Sequence, residues 1–159
     1  MTDSPAPGSS SSFVLTSSAF GEGEAIPREF TCDGANISPP LSWTGVPSGA
    51  GALVLLVDDP DARGFVHWIV LDLPAVDGEL PMGVPPDAPS LKQGRNDFGF
   101  VGWGGPCPPS GIHRYRFTLT AIEAPLGLPD GTDGDTVRRA LERATVLGRA
   151  TLTGIYGRG

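Results

Sequence analysis

One residue in four of this chain is glycine or proline, 23 and 17 respectively of 159. Glycine frees the backbone and proline fixes it, so such a chain is built from many tight turns and irregular connections rather than long helices. The fold is therefore expected to be strand-rich. With 39% hydrophobic residues in 159, the length suits one domain with a core of its own. Residues 1–12, dominated by Ser, Pro, Gly and Thr, cannot bury enough apolar surface to offset their ordering entropy. They are expected to be a disordered leader, with residues 13–159 forming the folded domain.

Charge narrows the function classes. The net charge is −7, the sequence pI is near 4.6, and Lys92 is the one lysine against ten arginines. That leaves no basic stripe for a nucleic-acid backbone or an anionic bilayer. No apolar stretch is long enough to span a membrane, and the N-terminus lacks the basic-then-apolar layout of a secretion signal. The expected location is the cytoplasm. Cys32 and Cys107 are too few for a disulfide scaffold and lack the CxxC spacing of a zinc site. No metal and no cofactor are expected.

Along the chain, short apolar runs at residues 13–16, 26–32 and 41–43 read as strands, separated by Gly/Glu and Ser-Pro-Pro turns. Residues 52–57 are continuously apolar and stop at Asp58-Asp59-Pro60, the pattern of a strand buried on both faces. Residues 67–73 alternate, which puts His67, Ile69, Leu71 and Leu73 on one face and Trp68, Val70 and Asp72 on the other. Residues 74–100, broken by prolines and glycines, read as a long ordered loop with a short strand or turn, of a kind that borders a site. Residues 113–121 alternate again, so His113, Tyr115, Phe117 and Leu119 share a face. A helix is expected over 135–147, capped by Asp133 or Asp135 and ended by Gly148, followed by a closing strand over 150–156. The sum is an antiparallel, mainly β domain with one or two peripheral helices near the C-terminus.

The chemistry gathers around the two histidines. His67 follows Asp58-Asp59-Pro60-Asp61, and His113 follows Gly104-Gly105-Pro106-Cys107-Pro108-Pro109 and precedes Arg114-Tyr115. Imidazoles beside rigid turns and carboxylates point to one shared pocket.

Taken together and in this order, Thr31-Cys32-Asp33-Gly34, Ser38-Pro39-Pro40-Leu41-Ser42-Trp43, Asp59-Pro60-Asp61-Ala62, His67-Trp68, Gly105-Pro106-Cys107 and His113-Arg114-Tyr115 resemble the phosphatidylethanolamine-binding protein family, in particular its bacterial Raf-kinase-inhibitor-like branch. The resemblance spans roughly residues 13 to 158. It implies a Greek-key β-sandwich with a small preformed cavity for phosphate-like or carboxylate anions, including a phosphorylated head group. It also implies members that bind or regulate rather than catalyse. Position by position it implies Asp59 as the pocket carboxylate supported by Asp61, His67 as the strand-start histidine, and Gly105 and Pro106 as a wall turn. His113 and Tyr115 stand opposite; strand period turns Arg114 away from His113, which favours a structural role in an ion pair to Asp61 or Asp72. Cys32 and Cys107 are implied to lie near one another, with their bonding left open. Relatives of this branch also imply a homodimer.

Two positions depart from the family pattern: Arg63 stands where proline often follows Asp-Pro-Asp-Ala, and Trp103 stands where tyrosine is common. Both bear on pocket shape. Trp43, Trp68 and Phe117 read as core, and Asp33 as a turn residue. Two other functions are weighed against a ligand-binding module. One is an inhibitor or scaffold that docks a protein partner through the pocket rim. The other is an acid–base enzyme using Asp59, His67 and His113, for which a Cys107 nucleophile lacks an oxyanion-hole motif.

Overall fold

Over residues 12–158, which the computed structural model describes, the short runs between turns become eight strands and one α-helix. In chain order these are β1 (Val14–Thr16), β2 (Leu41–Thr44), β3 (Ala52–Asp59), β4 (Phe65–Leu73), β5 (Gly78–Leu80), β6 (Lys92–Gln93), β7 (Gly111–Ile122), α1 (Gly134–Arg143) and β8 (Val146–Arg158). Arg28–Phe30 and Pro60–Ala62 form single 3-10 turns. The leader expected over residues 1–12 lies, except for Ser12, outside the described residues.

The strands form a three-stranded sheet, β1-β2-β5, and a five-stranded sheet, β6-β4-β3-β7-β8, each strand antiparallel to its neighbours. Strand β7 returns beside β3 after β3, β4 and β6 have been laid down in turn, which is Greek-key order. Leu53, Leu55 and Val57 of β3 pack in one cluster with Leu15, Leu41, Trp43 and Leu80 of the smaller sheet. Ala52, Val54 and Leu56 point the other way, into a second cluster with Ile69, Leu71 and Val137 of α1. Strand β3 is thus buried on both faces, as its unbroken apolar run requires. Each such side chain contributes about 1.5–3 kcal/mol. The consequence for function is a rigid rod that ends in Asp58 and Asp59.

Three expectations are corrected. Residues 26–32 are not a strand: Pro27, at φ −57°, starts a 3-10 turn in which Phe30 N–H donates to Pro27 O and Thr31 N–H to Arg28 O. Pairing there shrinks to one bridge, Ala25 to Ile155. The helix ends at Arg143 rather than near Gly148, because residues from Val146 onward pair with β7 in a strand of 13 residues. Its start is capped by Asp133, whose carboxylate accepts Thr136 N–H at 3.0 Å. Within residues 74–100 the loop contains β5 and β6.

The third correction concerns His67. Strict alternation puts it with Ile69 and Leu71, but the β3–β4 register slips between Val57↔Trp68 and Asp58↔Val66. Val66 belongs to the cluster under α1 and Trp68 to the cluster between the sheets, so the residue between them is a bulge. The bulge swings His67 to the side of Tyr115, the two rings meeting edge-on at 5.2 Å. A second slip around Asp72, at φ +52°, puts Leu73 in the inter-sheet cluster, away from Ile69 and Leu71. No helix among the described residues is long and apolar enough to cross a membrane.

Candidate ligand-binding site

The ends of three adjacent strands deliver the chemistry. Asp59 closes β3, His67 sits on the β4 bulge, and His113 and Tyr115 occupy alternate positions of β7. These four line one cavity of about 180 Å³ with Ala62, Phe65, Phe98, Cys107, Pro108 and Pro109. The sequence placed the polar four together. It missed Phe65 and Phe98, for which the only signal was aromatic side chains flanking otherwise polar turns.

Asp59 is 2% exposed and its two oxygens are both used. One accepts Asp61 N–H at 2.8 Å, because Pro60 starts a turn that brings that amide back. The other meets His113 Nδ1 at 2.5 Å. His67 Nδ1 donates to the Gly104 carbonyl at 2.6 Å. In both imidazoles, then, Nδ1 is directed at a wall acceptor, and Nε2 is the nitrogen left for a ligand.

Burial pushes the His67 pKa below its ordinary value of 6.5, against the opposing pull of the Gly104 carbonyl and the Asp59 charge. Burial, reinforced by Asp59 and Asp61, raises that of Tyr115, so its hydroxyl stays protonated. Tyr115 is 1% exposed, and its hydroxyl has no hydrogen-bond partner among the described residues. A buried phenol without a partner is costly unless something else accepts its proton.

Asp61 acts as a brace. Its carboxylate takes Arg114 N–H at 2.8 Å and the Arg114 guanidinium at 2.8 and 3.1 Å, which brings its pKa down to about 2. Arg114 therefore pairs with Asp61; Asp72 binds Lys92 instead. Arg63 adopts φ +59°, which a proline could not, so this turn is built differently from one carrying the family's usual proline.

Gly105 and Pro106 do not line the cavity. They fasten its wall from behind, Gly105 N–H donating to Asn36 Oδ1 at 2.9 Å and Pro106 O accepting Cys32 N–H at 3.1 Å. A side chain on Gly105 would collide with the Phe30 carbonyl, so glycine is required by close approach. The cavity wall proper is the next stretch, Cys107-Pro108-Pro109. Cys107 forms a disulfide with Cys32 at a Cα separation of 5.4 Å. It is therefore not free to act as a nucleophile with His113. Asp33 does more than turn the chain: it accepts Tyr156 OH at 2.5 Å and pairs with Arg158 at 2.6 Å. Trp103, at the second departure, is core, its Nε1 donating to Phe30 O at 3.1 Å. Trp43, Trp68 and Phe117 are core as well.

The family model for phosphatidylethanolamine-binding protein matches residues 16–157. A UPF0098 protein of Methanothermobacter thermautotrophicus is 47% identical, with 91% of this chain and 99% of that protein covered. A Mycobacterium tuberculosis protein named as lipoprotein LppC is 40% identical over 96% of this chain and 74% of its own length. Among solved structures, the Chlamydia trachomatis homologue CT736 superposes with a TM-score of 0.84 at 36% identity, covering 94% of this chain and 99% of its own. Escherichia coli YbcL, described as a member of the same family, gives a TM-score of 0.85 at 32% identity, with 92% and 99% covered. The order of motifs, the two antiparallel sheets and these matches agree, and the chain belongs to the phosphatidylethanolamine-binding protein family.

Proposed function

We propose that this protein binds a small ligand bearing a phosphate or carboxylate group, such as a phosphorylated head group, and does not turn it over. The observation that carries the reading is the buried Tyr115 hydroxyl, a permanent donor without a partner among the described residues, on one cavity with His67 and His113. A ligand oxygen accepting from Tyr115 satisfies it, and an imidazole that takes up a proton on Nε2 becomes a second donor. Asp59 then offsets the charge gained by His113 across their 2.5 Å contact. Anion binding is thus coupled to proton uptake, which lets an acidic protein hold an anion locally.

Absence of turnover is supported by the lining. Among the residues that line the cavity there is no serine, threonine or lysine, and Cys107 is bonded to Cys32. Acid–base catalysis by Asp59, His67 and His113 is the competing use of the same geometry. A protein partner at the rim is a second reading, favoured by the exposure of Phe98 and Phe100, each 46% accessible. Homodimerisation belongs to this proposal too, and sedimentation showing only monomer at micromolar concentration contradicts it. For location, two observations weigh against the cytoplasmic expectation: the Cys32–Cys107 disulfide suits an oxidising compartment, and one relative is named as a lipoprotein.

The test is calorimetric titration of inorganic phosphate into wild type and His113→Ala, run beside an esterase, phosphatase and lyase screen. The reading predicts saturable binding that weakens in the variant and no turnover in either. Turnover in wild type that disappears in His113→Ala moves the function to acid–base catalysis.

A further inference from the structure

The cavity has two chemically different halves. Its floor is the buried Asp59, His67 and Tyr115 with the half-buried His113, while Phe65, Phe98, Pro108 and Pro109 add carbon to the lining, Phe98 and Pro109 being the exposed members. At about 30 Å³ per water, a cavity of about 180 Å³ holds roughly six waters, more room than a bare oxyanion of five heavy atoms fills. The surplus space lies against carbon.

Phe98 is 46% exposed, yet its loop is held tightly. Asn96, only 2% exposed, accepts Phe98 N–H at 3.0 Å and Phe100 N–H at 3.3 Å through one oxygen, and donates to Gly102 O at 2.9 Å. Asp97 adds a clamp to β4, its carboxylate accepting Val66 N–H at 2.8 Å and its own N–H donating to Val66 O at 2.8 Å. The ring itself is seated edge-on against Phe65 at 4.8 Å and His67 at 5.4 Å. A side chain on Gly104 would collide with that ring, so the glycine whose carbonyl holds His67 also makes room for Phe98. Fixed backbone, a seated ring and an exposed remainder describe an aromatic surface held ready beside the polar floor.

We infer that the pocket selects anions carrying a compact planar ring, an aryl phosphate or aromatic carboxylate, with Phe98 as the residue that sets this preference; the inference rests on the anion-binding reading above. The oxyanion occupies the floor, and the ring packs against Phe98 and Phe65, edge-to-face or offset. A bare anion uses the floor alone.

Calorimetry on the full chain compares inorganic phosphate with phenyl phosphate and acetate with benzoate, for wild type, Phe98→Ala and Phe98→Leu. Each aromatic anion is expected to bind wild type about three- to tenfold tighter than its ring-free counterpart. Phe98→Ala is expected to weaken phenyl phosphate and benzoate more than their ring-free counterparts and so abolish that preference, whereas Phe98→Leu keeps part of it. If phosphate binds and the ring adds nothing, this inference fails and the anion reading stands. If Phe98→Ala weakens inorganic phosphate as much as phenyl phosphate, Phe98 acts through the seat of His67 and the inference is overturned. If none of the four anions binds wild type, both readings fail together.

Discussion

Asp58 and Asp59 are neighbours in one strand, both almost fully buried, and the sheet turns them to opposite faces. Asp58 points towards α1 and is held by two guanidiniums, Arg116 at 3.0 Å and Arg138 at 2.8 Å, the latter also donating to Gly64 O. Asp59 points to the cavity and meets one imidazole. Arginine keeps its proton at any physiological pH, so the Asp58 cluster is a permanent fastening between helix, sheet and the turn after Asp61. Histidine is the side chain whose charge can change near neutral pH, so on the proposed reading the Asp59 pair is the one that can answer a ligand. The lesson is that burial of a carboxylate does not mark a site; the ability of its partner to change charge does.

The largest effect expected is on the fastening. Removing both partners, Arg116→Ala with Arg138→Ala, strands a buried carboxylate and is predicted to cost about 3–5 kcal/mol in urea unfolding. A negligible loss would mean that Asp58 is not held as described. His113→Ala is the counterpart on the other face. It is expected to cost about 1–3 kcal/mol of stability and to weaken phosphate binding about tenfold or more. Equal phosphate affinity in this variant and wild type would erase the distinction between the two carboxylates.

A third effect sharpens the comparison through pH. The His67 pKa is depressed in the folded state below the 6.5 of the free side chain. Folding is therefore favoured by neutral His67, fully so above that unfolded value, and the contribution is lost as pH falls from there through the folded value. Unfolding free energy should drop as pH falls through about 6.5 and below, less steeply in His67→Gln. Saturating phosphate should flatten the drop in wild type. A stability that rises on acidification, with a slope that His67→Gln removes, would contradict the burial argument. The smallest effect concerns the exposed brace. NMR titration should find the Asp61 carboxyl at about 2, rising toward the ordinary carboxylate range in Arg114→Ala, with little change in the fold.

Much of this was legible in sequence where side-chain period and turn chemistry act locally. The twin carboxylates at the end of an apolar run survive because β3 pairs with β7 in unbroken register, and the alternation that puts His113 beside Tyr115 survives because that part of β7 pairs with β8 without a slip. His67 reached the same cavity for a reason the alternation did not contain. An extra residue in β4 is a property of its pairing with β3, and nothing within residues 65–73 announces it. The turn at residues 28–30 was missed although Pro27 was visible, since the apolar side chains around it fit a strand equally well. Helix α1 was drawn too long because the partner that claims Val146 is Ile122 of β7, more than twenty residues back. Gly105 and Pro106 were given ligand contact, yet Gly105 N–H and Pro106 O face Asn36 and Cys32, partners that only tertiary structure supplies. Phe98 was hidden in a proline-rich loop whose order depends on one buried asparagine, Asn96.

The account turns on whether the two imidazoles and Tyr115 receive an anion. Nitrogen-15 NMR of the His67 and His113 rings, followed against pH with and without inorganic phosphate, addresses this most directly. The account predicts that phosphate moves the signals of both rings and raises the pH at which His67 takes up its proton. Ring signals and titration midpoints that stay the same at high phosphate concentration would contradict it.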